Sequence, residues 1–304
     1  MSDLTKIANS VGTDKGTTTG AAHGYTLIYE MLFRPLRHHD EVNLLELGLA
    51  IGGPELGGNE NRPVAGSPSL ELWLIYFRNA QIVGFDISDF SAIERESFTF
   101  VRGDAGKPSD LDKLTALNRE FDVIIDDASH ASFHQQLGLA TLFKLLKPGG
   151  LYIIEDMGWR PQAYERTLPP VETTAKLLAD FLRTGDLHPS AAITPAAALE
   201  LKRSISSLIL VDESTLTVMA DNFNKRFGHA PVQRAGWRTS SVISRLLNPY
   251  FWLFNIRHIY QSAEGSGFTI HQAVKLAIIQ KTDSTDPPES TPSGRPPRTH
   301  RPDA

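Results

Sequence analysis

The sequence predicts a doubly wound, mostly parallel α/β sheet whose strands end in acidic residues. Two segments carry this prediction, residues 121–130 and residues 149–156. Each contains a short, β-branched apolar run, as strands covered by helices on both faces do. Each run then stops at carboxylates, and ligands of open α/β sheets bind outside the carboxyl ends of the strands. We therefore expect one ligand crevice at the ends of these two strands.

The acidic residues at these strand ends predict a site for a divalent cation. Asp126, Asp127, Glu155 and Asp156 would share the crevice with His130. Two carboxylates about 4 Å apart repel by roughly 4 kcal/mol at an effective dielectric constant near 20, so the cluster needs a cation or a shared proton. The alternative is helix capping, which explains one acid per cluster but not the pairs. His130 would be a general base or, alternatively, a helix-end residue with a local hydrogen bond.

Length and composition fit a large α/β domain with an additional segment. The chain has 304 residues and no cysteine, which excludes disulfides and thiolate-bound zinc. The N-terminus lacks the features of a signal peptide, and no apolar run reaches the ~20 residues that span a bilayer. A cytoplasmic location is therefore expected. The net charge of −5 argues against nucleic acid as a partner.

Three further strands with acidic ends come earlier in the chain. They are predicted at residues 42–48, 81–86 and 98–104. The first contains Glu46 and runs into a glycine-rich turn at Gly48, the second ends at Asp86 and the third at Asp104. A carboxylate at the end of the second strand characteristically accepts hydrogen bonds from the hydroxyls of an adenosine ribose. The glycines after the first strand do not have the G-x-G-x-x-G spacing of a dehydrogenase.

A loop and a helix follow the glycine-rich turn. Ser67 is predicted to cap the helix, with Pro68 at its first position. The preceding loop, residues 53–66, is rich in Gly, Pro and Asn. It is either a lid over the site or a tolerated surface insertion.

Aromatic residues and a second histidine lie close to the acidic clusters in sequence. Trp159 and Tyr164 are predicted either to stack on an acceptor ring or to pack in the core. His134 follows His130 by one helical turn, and we expect it on an ordinary helix surface. Further along, residues 205–211 and 216–219 read as an antiparallel hairpin that would complete the sheet.

The C-terminal part differs from the rest in composition. Residues 222–263 contain six Lys or Arg, several aromatic residues and no acid. This appendage is predicted to lie on an anionic membrane surface, to form an oligomer contact or to cap the acidic domain. Residues 281–304 are rich in proline and are predicted to be disordered. The predicted division is a domain at residues 1–220, the basic aromatic appendage at 221–280 and the tail at 281–304.

The succession of strands with acidic ends resembles the class I S-adenosylmethionine-dependent methyltransferases. A closer resemblance, over roughly residues 10 to 220, is to the metal-dependent sugar O-methyltransferases of macrolide pathways, the mycinamicin and tylosin type. The motifs that carry it are Gly12-Thr-Asp-Lys15 with His23 and Tyr25, Leu45-Glu-Leu-Gly48, Ser69 with Trp73, Ile125-Asp-Asp-Ala-Ser-His130 and Ile154-Glu-Asp156. The resemblance implies a seven-stranded Rossmann-like methyltransferase fold.

The same resemblance implies the cofactors and the roles of the site residues. It implies S-adenosylmethionine and Mg²⁺, with the cation held by Asp127, Glu155 and Asp156 and with His130 as general base. The implied cofactor contacts are Thr13, Glu46, Gly48, Ser69, Asp86, Asp104 and Asp126. Ala128 stands where those enzymes commonly have glycine.

The expected function is therefore metal-assisted methylation of a hydroxyl on a glycosylated small molecule. A sugar hydroxyl ionises far above neutral pH, so the reaction needs a cation and a base beside it. Methylation of a phenol or catechol is an alternative within the same chemistry. A cofactor-binding scaffold that docks to a membrane complex is an alternative of another class. Self-association is a further expectation.

Overall fold

The computed structural model describes residues 3–19, 22–58, 64–229 and 274–283. The strands are β1 (Val42–Leu47), β2 (Ala80–Asp86), β3 (Phe98–Arg102), β4 (Phe121–Asp126), β5 (Leu146–Ile154), β6 (Ile205–Asp212) and β7 (Val274–Lys281). The helices are α1 (Asp3–Val11), α2 (Tyr25–Phe33), α3 (Pro68–Tyr76), α4 (Pro108–Thr115), α5 (Ser132–Leu142), α6 (Gln162–Glu165), α7 (Thr174–Thr184), α8 (Pro195–Ser204) and α9 (Glu213–Phe227). Short 3₁₀ turns lie at Leu36–His38, Pro54–Leu56 and Phe143–Leu145.

The seven strands form one sheet in the order β3-β2-β1-β4-β5-β7-β6. The first five strands are parallel, and β7 runs antiparallel to both of its neighbours. The register pairs Leu47 with Asp126 and Asp126 with Ile154, so three central strands end at the same edge. The strand order reverses between β1 and β4, and ligands of such sheets bind at this point of reversal. The predicted doubly wound sheet is thereby confirmed.

Two apolar layers cover the faces of the sheet because successive side chains of a strand point to opposite sides. On β4, Ile124 packs with Tyr152 in one layer, whereas Val123 and Ile125 pack with Trp73 in the other. Strand β1 is buried along its whole length. Burial on both faces holds the strand ends, and the polar residues that follow them, in fixed positions.

The beginning of α3 agrees with the sequence. Ser67 is the N-cap, its side chain accepts a hydrogen bond from the backbone N–H of Leu70 at 3.3 Å, and Pro68 is the first helical residue. This start fixes Ser69, which faces the site described below.

The predicted hairpin of residues 205–211 and 216–219 is wrong. Residues 216–219 lie in α9, which Asp212 caps by accepting a hydrogen bond from the N–H of Thr215 at 2.8 Å. The buried residues Leu216, Ala220 and Phe223 recur at helical spacing. The partner of β6 is β7, which arrives more than 60 residues later in the chain.

The predicted division at residue 220 separates β7 from the sheet to which it belongs. Residues 230–273, and with them most of the basic aromatic segment 222–263, lie outside the described residues, as does the tail from residue 284. Membrane contact and self-association through that segment stay predictions. Within the described ranges, no helix is long and apolar enough to cross a membrane.

Candidate active site

A cavity of about 800 Å³ opens at the carboxyl edge of the sheet, beside the ends of β1 and β4. It brings together residues that are far apart in sequence. The predicted site residues at its wall are Thr13, Gly48, Ser69, Asp86, Asp104, Asp127, His130 and Asp156. Glu46, Asp126 and Glu155 are buried behind that wall rather than part of it.

The turn after β1 contacts the turn after β4 closely. Gly48 has a φ of 84°, and a Cβ atom at this position would lie 2.1 Å from the carbonyl oxygen of Asp127. The N–H of Asp127 donates a hydrogen bond to the carbonyl of Leu47 at 2.8 Å. Only glycine combines this φ with this close approach. The glycine-rich turn therefore fixes the backbone of Asp127.

Three polar groups converge on one point of the cavity. One side-chain ligand atom from each of Asp127, His130 and Asp156 lies within 4.8 Å of the other two. His130 and Asp156 have φ values of 57° and 52°, a region that few residues other than glycine adopt. Such backbone conformations persist where the surrounding structure enforces them, often at functional sites. In the described part of the chain, the buried Nδ1 of His130 has no hydrogen-bond partner.

Asp156 is surrounded by a histidine, a lysine and a tyrosine hydroxyl. Nε2 of His23 lies 3.5 Å away and Nζ of Lys275 lies 3.3 Å away, while the hydroxyl of Tyr25 donates a hydrogen bond at 3.0 Å. Burial raises the pKa of Asp156, but His23 and Lys275 outweigh it and lower that pKa to about 2. Asp156 is therefore a carboxylate at neutral pH.

Lys15 neutralises the inner side of the cluster. Its Nζ donates to Oδ2 of Asp127 at 2.5 Å and to Oε2 of Glu155 at 2.8 Å, and it lies 3.6 Å from Oε1 of Glu46. Burial lowers the pKa of Lys15, but the neighbouring carboxylates raise it further, to well above its ordinary value. Lys15 is therefore a buried ammonium ion at neutral pH.

Glu46 and Asp126 lie behind the cavity wall and have structural roles there. Glu46 accepts hydrogen bonds from the hydroxyl of Ser69 at 2.9 Å and from the indole N–H of Trp73 at 3.1 Å. Burial raises the pKa of Glu46 to about 7 despite the opposing effect of Lys15. Burial also raises the pKa of Asp126, to about 6. Neither carboxylate is as readily ionised as Asp156.

The side of the cavity near β2 and β3 carries two acids. Asp86 accepts hydrogen bonds from the N–H groups of Leu49 at 2.8 Å and Ser88 at 2.7 Å. Asp104 accepts from the N–H of Gly106 at 2.8 Å. Both acids follow the ends of their strands, at the cavity wall where the sequence predicts a ribose contact.

His134 does not lie on an ordinary helix surface, so that expectation is wrong. It is buried at the cavity wall, and its Nδ1 is 2.7 Å from the hydroxyl of Ser129. Burial lowers the pKa of His134 to about 4. Trp159 and Tyr164 also line the cavity, and the rings of Trp159 and His130 form a T-shaped contact with centroids 5.3 Å apart.

The donor set fits a hard divalent cation. Carboxylate oxygens are the ligands that Mg²⁺ prefers, and Asp127 and Asp156 present theirs to the cavity. A ring nitrogen of His130 provides a third polar atom at the same point. Asp127 and Asp156 would therefore hold such an ion, with His130 beside it.

Comparison with known proteins shows sequence relatives that are named as O-methyltransferases. The chain is 38% identical over 158 residues to demethylmacrocin O-methyltransferase of Streptomyces fradiae, which covers 51% of this chain and 36% of the relative. It is 35% identical over 158 residues to mycinamicin VI 2''-O-methyltransferase of Micromonospora griseorubida, with the same coverage. It is 33% identical over 198 residues to a rhamnosyl tetracenomycin-C 2'-O-methyltransferase of Streptomyces olivaceus, covering 64% of this chain and 49% of the relative. No protein-family model matches the chain.

The fold matches solved structures of one such enzyme. MycE methyltransferase from the mycinamycin biosynthetic pathway, in complex with Mg and SAH, has a TM-score of 0.54 and 28% identity. The match covers 69% of this chain and 52% of MycE. A second MycE structure, which also holds mycinamycin VI, has a TM-score of 0.53 and 29% identity.

The chain has the Rossmann-like fold of the class I S-adenosylmethionine-dependent methyltransferases. Within that class it is similar to the sugar O-methyltransferases of macrolide and related polyketide pathways. Both the predicted fold class and the predicted resemblance are confirmed. The chain spans only 36% to 49% of the length of these three relatives.

Sequence reasoning assigned no role to three residues of the site. Lys15 and His23 belong to the Gly12–Tyr25 motif. Their side chains can carry charge, and this property could have marked them as partners of the acidic residues. Lys275 lies on β7, beyond the predicted domain, and no local pattern marks it.

The raised pKa of Glu46 predicts a pH-dependent stability. Between about pH 4.5 and 7 the folded state keeps a proton that the unfolded state has lost, so Glu46 destabilises the fold as the pH rises. Glu46→Gln removes this dependence. The difference in unfolding free energy, variant minus parent, should rise by about 3 kcal/mol across that range.

Chemical denaturation at pH 5 and pH 8 measures this difference. Substitution of the exposed Glu200 by Gln is the matched control, and its difference should be the same at both pH values. If the difference in unfolding free energy between Glu46→Gln and the parent is also the same at pH 5 and pH 8, the prediction is wrong. Glu46 would then already be ionised in the folded state at pH 5.

Proposed function

We propose that this chain is an O-methyltransferase that transfers the methyl group of S-adenosylmethionine to a hydroxyl of a glycosylated small molecule, with Mg²⁺ as metal cofactor. The observation that carries this proposal is that Asp86, Asp127, His130 and Asp156 face one cavity of about 800 Å³. A ribose-binding acid, a cation site and a proton acceptor are thus within one ligand-sized space.

The relatives support the class of acceptor. Those from Streptomyces fradiae and Micromonospora griseorubida are named for demethylmacrocin and mycinamicin VI, and MycE binds mycinamycin VI together with Mg and SAH. We extend this acceptor class, a sugar on a macrolide or a related polyketide, to this chain. The exposed indole of Trp159 at the cavity wall offers an apolar surface to such a ring.

The carboxylates that would hold Mg²⁺ are Asp127 and Asp156, which stand at the cavity wall. Glu155, the third ligand that the sequence resemblance implies, lies behind them and is linked to Asp127 by Lys15. When bound, the cation supplies positive charge that favours ionisation of an acceptor hydroxyl. Because the pKa of Asp156 is lowered to about 2, this carboxylate is available to a cation without loss of a proton at neutral pH.

His130 would accept the proton of the acceptor hydroxyl. Its ring lies within the group formed with Asp127 and Asp156, and its positive φ and the T-shaped contact with Trp159 restrict its orientation. A positioned proton acceptor of this kind contributes roughly 10²- to 10⁴-fold to a rate.

The cofactor would lie across the turn at Gly48. Asp86 would accept hydrogen bonds from the ribose, and Thr13, Ser69 and Asp104 line the same space. Glu46 would act through the Ser69 hydroxyl, and Asp126 through the turn that it stabilises beneath Asp127. Alignment of the acceptor oxygen, the methyl carbon and the sulfur is the main requirement of the transfer, and a cofactor held by these residues would lie in the same cavity as His130.

Substitution of His130 tests the proton acceptor. His130→Ala should bind S-adenosylmethionine and Mg²⁺ within about threefold of the parent, yet lose roughly 10²- to 10⁴-fold in kcat with a glycosylated macrolide. The exposed His188→Ala is the matched control and should retain the parental rate. A His130→Ala enzyme with near-parental kcat would remove His130 from the chemistry.

Substitution of Asp86 tests the cofactor site. Asp86→Asn keeps the shape of the side chain but removes its charge, and a hydrogen bond to a charged group contributes roughly 1.5–3 kcal/mol. Calorimetry should show a dissociation constant for S-adenosylmethionine raised about 10- to 100-fold, whereas Asp112→Asn on the surface of α4 should have no effect. An unchanged constant would exclude Asp86 from the ribose site.

A further inference from the structure

Lys15 is a buried ammonium that the proposed chemistry does not use. Its side chain is 1% exposed and touches carboxylates from three different strand ends. The contacts are to Asp127 after β4, to Glu155 after β5 and, at 3.6 Å, to Glu46 on β1. A buried lysine is costly unless it is paired and hydrogen-bonded, and these carboxyl groups provide that pairing.

The position of the ammonium is set by the backbone of its loop. The carbonyl of Lys15 accepts a hydrogen bond from the N–H of Thr26 at 3.1 Å, at the start of α2. The neighbouring N–H groups of His23 and Gly24 donate to the carbonyls of Asp14 and Gly16 at 2.7 and 2.8 Å. The loop is thus tied to the N-terminus of α2, and Lys15 extends from a fixed base into the acidic cluster.

The ammonium joins the carboxyl groups of Asp127 and Glu155. These residues follow neighbouring strands, and burial together with the charge of Asp127 raises the pKa of Glu155, an effect that Lys15 opposes. Lys15 donates to Oδ2 of Asp127 and to Oε2 of Glu155, while the hydroxyl of Tyr29 donates to Oε1 of Glu155 at 2.6 Å. Glu155 is therefore held from both sides, and Asp127 is tied to it through one donor.

We propose that Lys15 is a positioning residue of the cation site, which acts through Asp127 and Glu155 and does not touch the substrate. By fixing one oxygen of Asp127 towards the interior, it sets how this carboxylate faces Asp156 and His130 across the cavity. This inference rests on the metal-binding part of the proposed function. Groups that orient metal ligands typically contribute 10- to 100-fold to metal affinity.

Binding of Mn²⁺ to the full chain, measured by electron paramagnetic resonance without acceptor, tests this role. Lys15→Met removes the charge and the donors, and should weaken Mn²⁺ binding 10- to 100-fold while the dissociation constant for S-adenosylmethionine changes less than about threefold. Lys15→Gln keeps one donor and should lose less affinity than the Met variant. Circular dichroism verifies that each variant is folded.

Lys147 provides the matched control. It pairs with Asp122 at 2.8 Å across the same two strands, β4 and β5, but at the opposite edge of the sheet. Lys147→Met should leave both dissociation constants within about threefold of the parent.

The alternative is that Lys15 only neutralises charge. Its loss would then leave the cluster more negative, and both variants would bind Mn²⁺ as tightly as the parent or more tightly, which would overturn the proposal. If Lys15→Met does not fold, the Mn²⁺ affinity of Lys15→Gln is compared with that of the parent. Binding as tight as in the parent, or tighter, would again overturn the proposal. Methyl transfer by the parent is measured in a separate assay. Failure of the proposed function would therefore appear in that assay, independently of the Mn²⁺ dissociation constants of the variants.

Discussion

Mutual repulsion of buried carboxylates is the constraint on which the site depends. Parallel strands end at one edge, so the acids that follow β1, β4 and β5 are forced together. The fold offsets this repulsion with lysines from two other places in the chain, Lys15 from the loop after α1 and Lys275 from β7. His23, whose pKa burial lowers, lies beside Asp156 in the segment before α2. The site is therefore assembled by charge pairing across the whole sheet.

The cations divide the cluster into two parts with different properties. On the inner side, Lys15 contacts Glu46, Asp127 and Glu155, where burial is nearly complete. On the cavity side, Asp127 and Asp156 stay partly exposed and lie close to His130. In the proposed function, the inner part would support the metal ligands and the outer part would reach a cation and an acceptor. Buried carboxylates without such support would take up protons.

Much of the fold was predictable because the strands of the parallel part are buried on both faces. Short apolar runs ending in acids, as in β4 and β5, have few other structural interpretations. The hairpin prediction failed because Leu216-Thr-Val-Met219 is as β-branched as a strand, yet Asp212 caps a helix there. The true partner of β6 could not be predicted, since β7 follows a long intervening segment and pairs only through tertiary contacts.

The cavity residues were predictable where they follow strands and were missed where they depend on distant partners. Asp86, Asp127 and Asp156 each follow a recognisable strand, so topology alone brings them to one edge. Lys275 has no such local signal, because its importance comes from an ion pair with Asp156, more than 100 residues away. The burial of His134 likewise depends on packing against the loop around Gly106 rather than on its helix.

The proposed role of the cation can be tested by the metal dependence of methyl transfer. The protein would be stripped of metal by a chelator, verified as metal-free, and assayed with S-adenosylmethionine and a glycosylated macrolide before and after addition of Mg²⁺. The account predicts negligible transfer by the metal-free protein and full recovery with Mg²⁺. Undiminished transfer by verified metal-free protein would contradict it, and the acidic cluster would then be a structural charge network.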